Sequence, residues 1–132
     1  MQIEWLQCKS YAGAKDYSRV LYLHEWDDAP FYWGKAHKSH FGGHKRLIGG
    51  LEASGRYNSG YRHWIEGCLS HGAKLYIGLP DEEALAIMDE IENFLNFSYK
   101  PTMSQRVHAP RRQLSITHIG TVPASIAKRS ED

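Results

Sequence analysis

Two cysteines among 132 residues, Cys8 and Cys68, neither in a CxxC spacing, give no disulfide framework and no zinc-ribbon pattern, so two reduced, partly buried thiols are expected. No apolar run approaches the roughly 20 residues of a membrane-spanning helix, and no membrane partner is expected. Residues 1 to 8 lack the basic start and apolar block of a secretory signal. A cytoplasmic location is the default expectation. There is no internal repeat, and the chain is too short for two ordinary domains. One domain over residues 1–132 is therefore expected. Charge of one sign is also missing, since the net charge of +1 says nothing for or against nucleic acid.

The distribution of charge says more than its sum. Residues 35–80 hold seven Lys or Arg against two Glu, residues 81–92 hold six acids and no base, and residues 100–129 hold six bases and no acid. Such blocks can be solvated faces, but an acidic patch between basic ones also suits a phosphate backbone and a metal cation.

The stretch with most structure in it is Arg19 to Lys35. Two apolar runs, Val20 to Leu23 and Phe31 to Trp33, flank the turn-rich Asp27-Asp28-Ala29-Pro30, which predicts an antiparallel hairpin with strands near 18–25 and 30–36. Apolar residues at both parities, Val20 and Tyr22 against Leu21 and Leu23, mark the first strand as central. Tyr22 and Tyr32 are ten apart, which with a short turn brings both phenols to one end of the sheet. Aromatic residues are also common as plain strand packing. Gly34 at the strand end is of the kind that lets a backbone or ligand come close.

Next, Lys35 to Arg46 carries Lys35, Lys38, Lys45 and Arg46 with His37, His40 and His44 and no acid. A histidine metal site is disfavoured by Gly42-Gly43 and by the lack of a nearby carboxylate to orient the rings, so the histidines read as surface or phosphate-facing groups. A helix is expected over His44 to Ser54, with Leu47, Ile48 and Leu51 inward, although Gly49 and Gly50 each cost a helix roughly 1 kcal/mol. Asn58 to His71 has the clearest helical period, Tyr61, Trp64, Ile65, Cys68 and Leu69, and reads as core. Lys74 to Leu79 predicts a third strand, after which Pro80-Asp81 starts a helix with Leu85, Met88, Ile91 and Leu95 inward and Glu92 at the margin of that face. A carboxylate there needs solvent, a partner or a metal. Residues 2–7 read as a short edge strand, Tyr11 to Asp16 as a loop, and residues 102–132 as a Pro-, Ser- and Arg-rich extension with one strand-like run at Leu114 to Ile119.

In this order the pieces resemble the GIY-YIG nuclease family. Val20-Leu21-Tyr22 stands for the GIY triplet, Tyr32-Trp33-Gly34 for YIG, Lys35-Ala36 for the Gly-Lys-Ala continuation, Arg46 for the helical arginine, and Glu92 to Pro101 keeps the family's Glu-to-Pro interval. The likeness spans about residues 18–106 and leaves 107–132 as a basic extension. Gly50 stands where many members carry a His or Tyr, and Ser104 replaces the terminal Asn.

The resemblance implies an α+β fold, a small three-stranded antiparallel sheet flanked by helices. It also implies a Mg²⁺- or Mn²⁺-dependent endonuclease that hydrolyses DNA phosphodiesters, with RNA left open as substrate. Glu92 would hold the metal, Tyr22 would be the general base or orient the water with its pKa lowered by Lys35, Arg46 would clamp the scissile phosphate, and Tyr32 would contact phosphate or water. Gly34, His37, Lys38, His44 and Lys45 would line the substrate. These residues are expected to converge on one concave, basic-rimmed surface. Specificity would come from the tail, a homodimer or a protein partner. The main rival is a nucleic-acid-binding module of the same fold that cleaves little or not at all, and a third reading is a His-rich metal-binding protein.

Overall fold

In a computed structural model, described over residues 1–14, 17–36, 45–48, 51–54, 59–103 and 107–130, the chain is an α+β protein built on a five-stranded mixed sheet. The elements in order are β1 (Gln2–Cys8), α1 (Tyr11–Ala14), β2 (Val20–Trp26), β3 (Ala29–Ala36), β4 (Lys45–Ile48), β5 (Leu51–Ser54), α2 (Ser59–Ser70), β6 (Lys74–Pro80), α3 (Glu82–Ala86), α4 (Met88–Ser98), β7 (Thr117–Gly120) and α5 (Ala124–Ser130). The sheet order is β3-β2-β6-β1-β7, with β7 parallel to β1 and every other pair antiparallel.

The expected three strands are present as the contiguous set β3-β2-β6, but the sheet does not stop there. β1 pairs with β6 from Ile3 opposite Pro80 to Cys8 opposite Leu75, and β7 covers its other side, so β1 is internal rather than an edge strand. The reason is its pattern: Ile3, Trp5 and Cys8 are buried, more apolar surface than an edge strand needs. Trp5 lies over Gly78, where a Cβ would come within 2.8 Å of the indole.

The hairpin turn is tighter than the sequence indicates. Trp26 pairs with Ala29, leaving only Asp27 and Asp28 between the strands, both with positive φ (52° and 61°) as a two-residue turn that follows the strand twist demands. Pro30 is tolerated because β3 is the edge of the sheet. The register slips at His24/Glu25, leaving Phe31 as the extra residue of a bulge. The Pro30 and Phe31 carbonyls accept from the Thr102 and Met103 amides, at 3.1 and 3.0 Å.

β2 is buried on both faces, as its apolar pattern implies. Leu21 and Leu23 join Trp33, Ile3 and Trp5 under α3, α4 and α5 through Ala84, Met88, Ile91, Leu95 and Ile126. Val20 and Tyr22 join Ala36, Leu75 and Ile77 on the opposite face with Ala14 of α1 and Ile65 of α2. α2 and β6 fall where their periods place them. The acidic helix after Pro80 is broken in two at Ile87, with Asp81 capping the first piece by accepting from the Ala84 amide.

Two expectations are corrected. The described residues of the segment expected as a helix, Lys45–Ile48 and Leu51–Ser54, are not helical: β4 and β5 form a two-stranded antiparallel ladder with Ile48 opposite Leu51. The Gly49-Gly50 pair that separates them suits a hairpin far better than a helix interior. Tyr11–Ala14 is a helical turn, not loop. The strand-like run at Leu114 to Ile119 overlaps β7, which pairs with β1 at the other edge of the sheet, and α5 follows it.

Candidate nuclease site

Strand parity decides what can meet at the proposed site. Tyr22 pairs with Gly34 and His24 with Tyr32, so all four lie on the α2 face. The Tyr22 ring fills the space a Cβ on Gly34 would need, so this glycine admits a neighbouring tyrosine rather than a ligand. Tyr22 and Tyr32 stack with centroids 6.1 Å apart and planes at 26°. Tyr22 is fully buried whereas Tyr32 is half-buried.

Two residues assigned no role by the sequence complete this cluster. The His24 ring sits 5.8 Å from Tyr22, 6.2 Å from Tyr32 and 5.1 Å from Trp64 of α2. Burial pushes His24 down to about 4, so the imidazole is neutral at pH 7. The available signal was parity, since His24 follows Tyr22 by two positions. Trp64 was legible only as a core residue.

Lys35 pairs with Leu21 and therefore faces the other way, toward α4. Its ammonium donates to Glu92 Oε1 at 2.7 Å and lies 3.4 Å from Asp89 Oδ1. Asp89 and Glu92 are one helical turn apart on α4, so both carboxylates reach the same cation. Burial alone would lower the Lys35 pKa, but the Glu92 hydrogen bond and charge, reinforced by Asp89, outweigh it and hold Lys35 above the ordinary lysine value. Lys35 is thus an ion-paired cation turned away from the tyrosines and toward α4, not beside Tyr22 as expected.

The expectation of one concave surface carrying all five residues is corrected accordingly. Tyr22 and Tyr32 lie on one face, Lys35 and Glu92 on the other, and the backbone of β3 at Gly34-Lys35 runs between them. What the two groups share is β3, the strand at the end of the sheet order, whose Gly34-Lys35 backbone carries one group on each side. Arg46 stands on β4 rather than on a helix, and its side chain and that of Lys45 lie outside the described residues. His37, Lys38, His40, His44, Gly50 and Ser104 are likewise outside the described residues.

The donor chemistry suits a hard divalent cation in one place. Lys35 Nζ already stands as a cation against two carboxylates, and Mg²⁺ is commonly held by one or two carboxylates with water and phosphate completing its shell. Among the described residues no group of three or more His, Cys, Asp or Glu converges, so water and phosphate would have to supply the rest. No described helix is long and apolar enough to cross a membrane. Comparison with protein-family models, with curated proteins and with solved structures finds no match for this chain.

Proposed function

We propose that the protein is a metal-dependent endonuclease of the GIY-YIG type, acting on DNA at the Gly34-Lys35 end of β3. The observation that carries the reading is the Lys35–Glu92 contact of 2.7 Å with Asp89 beside it, a pair of hard anionic ligands gathered on the residue that follows the glycine under Tyr22. When bound by Glu92, Mg²⁺ would stabilise charge on the phosphorane and on the leaving 3′ oxygen. Tyr32, the less buried of the two tyrosines, takes the part of contacting the attacking water or the phosphate. Tyr22 backs it by stacking and is too buried to exchange a proton with water itself. Arg46 retains, from the resemblance alone, the part of phosphate clamp.

The second reading, a nucleic-acid-binding domain with little or no cleavage, is favoured by one observation: the buried Tyr22 and the ion-paired Glu92 occupy opposite faces of the sheet. One experiment separates them. Supercoiled plasmid incubated with the protein and Mg²⁺ or Mn²⁺ should be nicked or linearised, and EDTA should stop it. Retardation on a gel without conversion would select the binding reading, and neither effect would remove both.

A further inference from the structure

Glu92 and Asp89 are not waiting with open oxygens, because a cation of this chain already sits on them. The Lys35 side chain is only 27 % exposed and Glu92 only 21 %, so the pair is largely withdrawn from water, while Asp89 at 76 % stays accessible beside it. An ammonium hydrogen-bonded at 2.7 Å to a carboxylate oxygen fills the space in front of that oxygen and repels a divalent cation from it. Lys35 also lies at the end of β3, next to Gly34 on the flank of the sheet where substrate would pass. Its long, flexible stem can exchange one anionic partner for another.

We propose that Lys35 is a built-in cation gate for the Glu92–Asp89 pair, holding the metal out until a phosphate draws the ammonium away. This rests on the reading of Glu92 as the metal-holding carboxylate. Phosphate binding takes Lys35 off the carboxylates and leaves two anions facing each other, which favours a divalent cation between them. A metal arriving first displaces Lys35 toward the phosphate. Linkage then makes the effect mutual: DNA raises metal affinity and metal raises DNA affinity by the same factor. The substrate is thereby required for loading, and free metal alone binds poorly.

The test is Mn²⁺ binding to the full chain, followed by the loss of the free-ion electron paramagnetic resonance signal, which reads affinity without turnover. Lys35→Met should bind Mn²⁺ about tenfold more tightly than the parent protein, and adding Glu92→Gln should abolish the gain. A phosphorothioate-linked duplex oligonucleotide should tighten Mn²⁺ binding to the parent protein by a clearly larger factor than it does to Lys35→Met. Lys35→Gln serves where Lys35→Met does not fold. Equal or weaker Mn²⁺ affinity in the folded Lys35 variant, with Glu92→Gln still abolishing it, would overturn the gate while the metal site stands. Absence of any Glu92-dependent Mn²⁺ binding in both proteins would overturn the metal site itself and the gate with it.

Discussion

The ring of Tyr22 occupies the position that a Cβ on Gly34 would take in the neighbouring strand. Tyr22 is also fully buried, packed with Ile65 of α2 and stacked on Tyr32, so it has nowhere to retreat. Gly34→Ala should therefore destabilise the protein by about 1–3 kcal/mol, the usual cost of forcing a methyl into a filled core. The midpoint of urea unfolding measures it. In a Tyr22→Ala background the penalty should shrink markedly, because the clash partner is gone. An equal penalty in both backgrounds would mean that the glycine is there for its backbone and not for the ring.

Acid should destabilise the fold in a defined window. His24 and His118 are both pushed down to about 4 from an ordinary 6.5, in each case by burial. His118 Nδ1 accepts from the Trp5 indole at 2.9 Å, a bond that a proton on Nδ1 would end. The unfolded chain takes up these protons near 6.5 and the folded one only near 4, so between those values the unfolded state binds more protons. Stability is then full above about pH 6.5, falls as pH drops through the window, and levels off below about 4. The completely buried His24 accounts for up to about 3 kcal/mol of it. Thermal melts from pH 7 to pH 4 should show the decline, and replacing His24 by Phe should lessen it, leaving the part due to His118. A flat profile in the parent protein would refute the linkage.

The C-terminal segment should be needed for folding, not merely for affinity. Glu25 is completely buried, and its Oε2 accepts from the Ser125 amide at 2.9 Å and the Ser125 hydroxyl at 2.7 Å. β7 lies on β1, and the Asn93 side chain exchanges two hydrogen bonds with the His108 backbone. Arg112, counted in the sequence among charges for phosphate, is forked onto Glu90. Deleting 107–132 should leave a chain without a cooperative melt. Ser125→Ala, which removes only the hydroxyl bond to a buried carboxylate, should cost about 1.5–3 kcal/mol. If the truncated chain melts like the parent and loses only DNA affinity, the extension is an arm after all.

What could be read from the sequence follows from how local each signal is. The β2–β3 hairpin, α2 and β6 are written in unbroken periods with a turn or cap at each end, and Glu92 at the margin of the apolar stripe of α4 meets a partner, as a carboxylate there must. The β4–β5 ladder was misread because Leu47, Ile48 and Leu51 satisfy a helical stripe and a short hairpin equally, and the deciding residues were the two glycines between them. β7 overlaps the strand-like run read at Leu114 to Ile119, but it and α5 are stabilised by partners about 100 residues away, Trp5 and Glu25 among them, and no local pattern names such partners. The division of the site between two faces was accessible in principle. Tyr32 and Lys35 are three apart, and in a regular strand an odd interval puts side chains on opposite sides.

Glu92→Gln should abolish metal-dependent cleavage while leaving DNA binding intact or tighter. The amide keeps the size of the side chain, and α4 should still pack through Met88, Ile91 and Leu95, which face the sheet independently of position 92. A hard cation loses its better-placed anion, and Asp89, mostly exposed, is left as a single distant ligand. Removing one negative charge also lessens repulsion of the phosphate and frees Lys35 to meet it. Glu90→Gln is the internal control. Its carboxylate is held well below the usual range by the Arg112 hydrogen bond, on a part of α4 away from Lys35, so its loss should loosen the 107–116 segment without touching cleavage. Plasmid nicking and gel retardation measured on both variants decide the matter. Cleavage lost in Glu90→Gln and kept in Glu92→Gln would put the metal two residues away from where the resemblance assigns it. Cleavage kept in both would leave the Lys35–Glu92 pair as a structural ion pair, one that ties the end of β3 to α4 and nothing more.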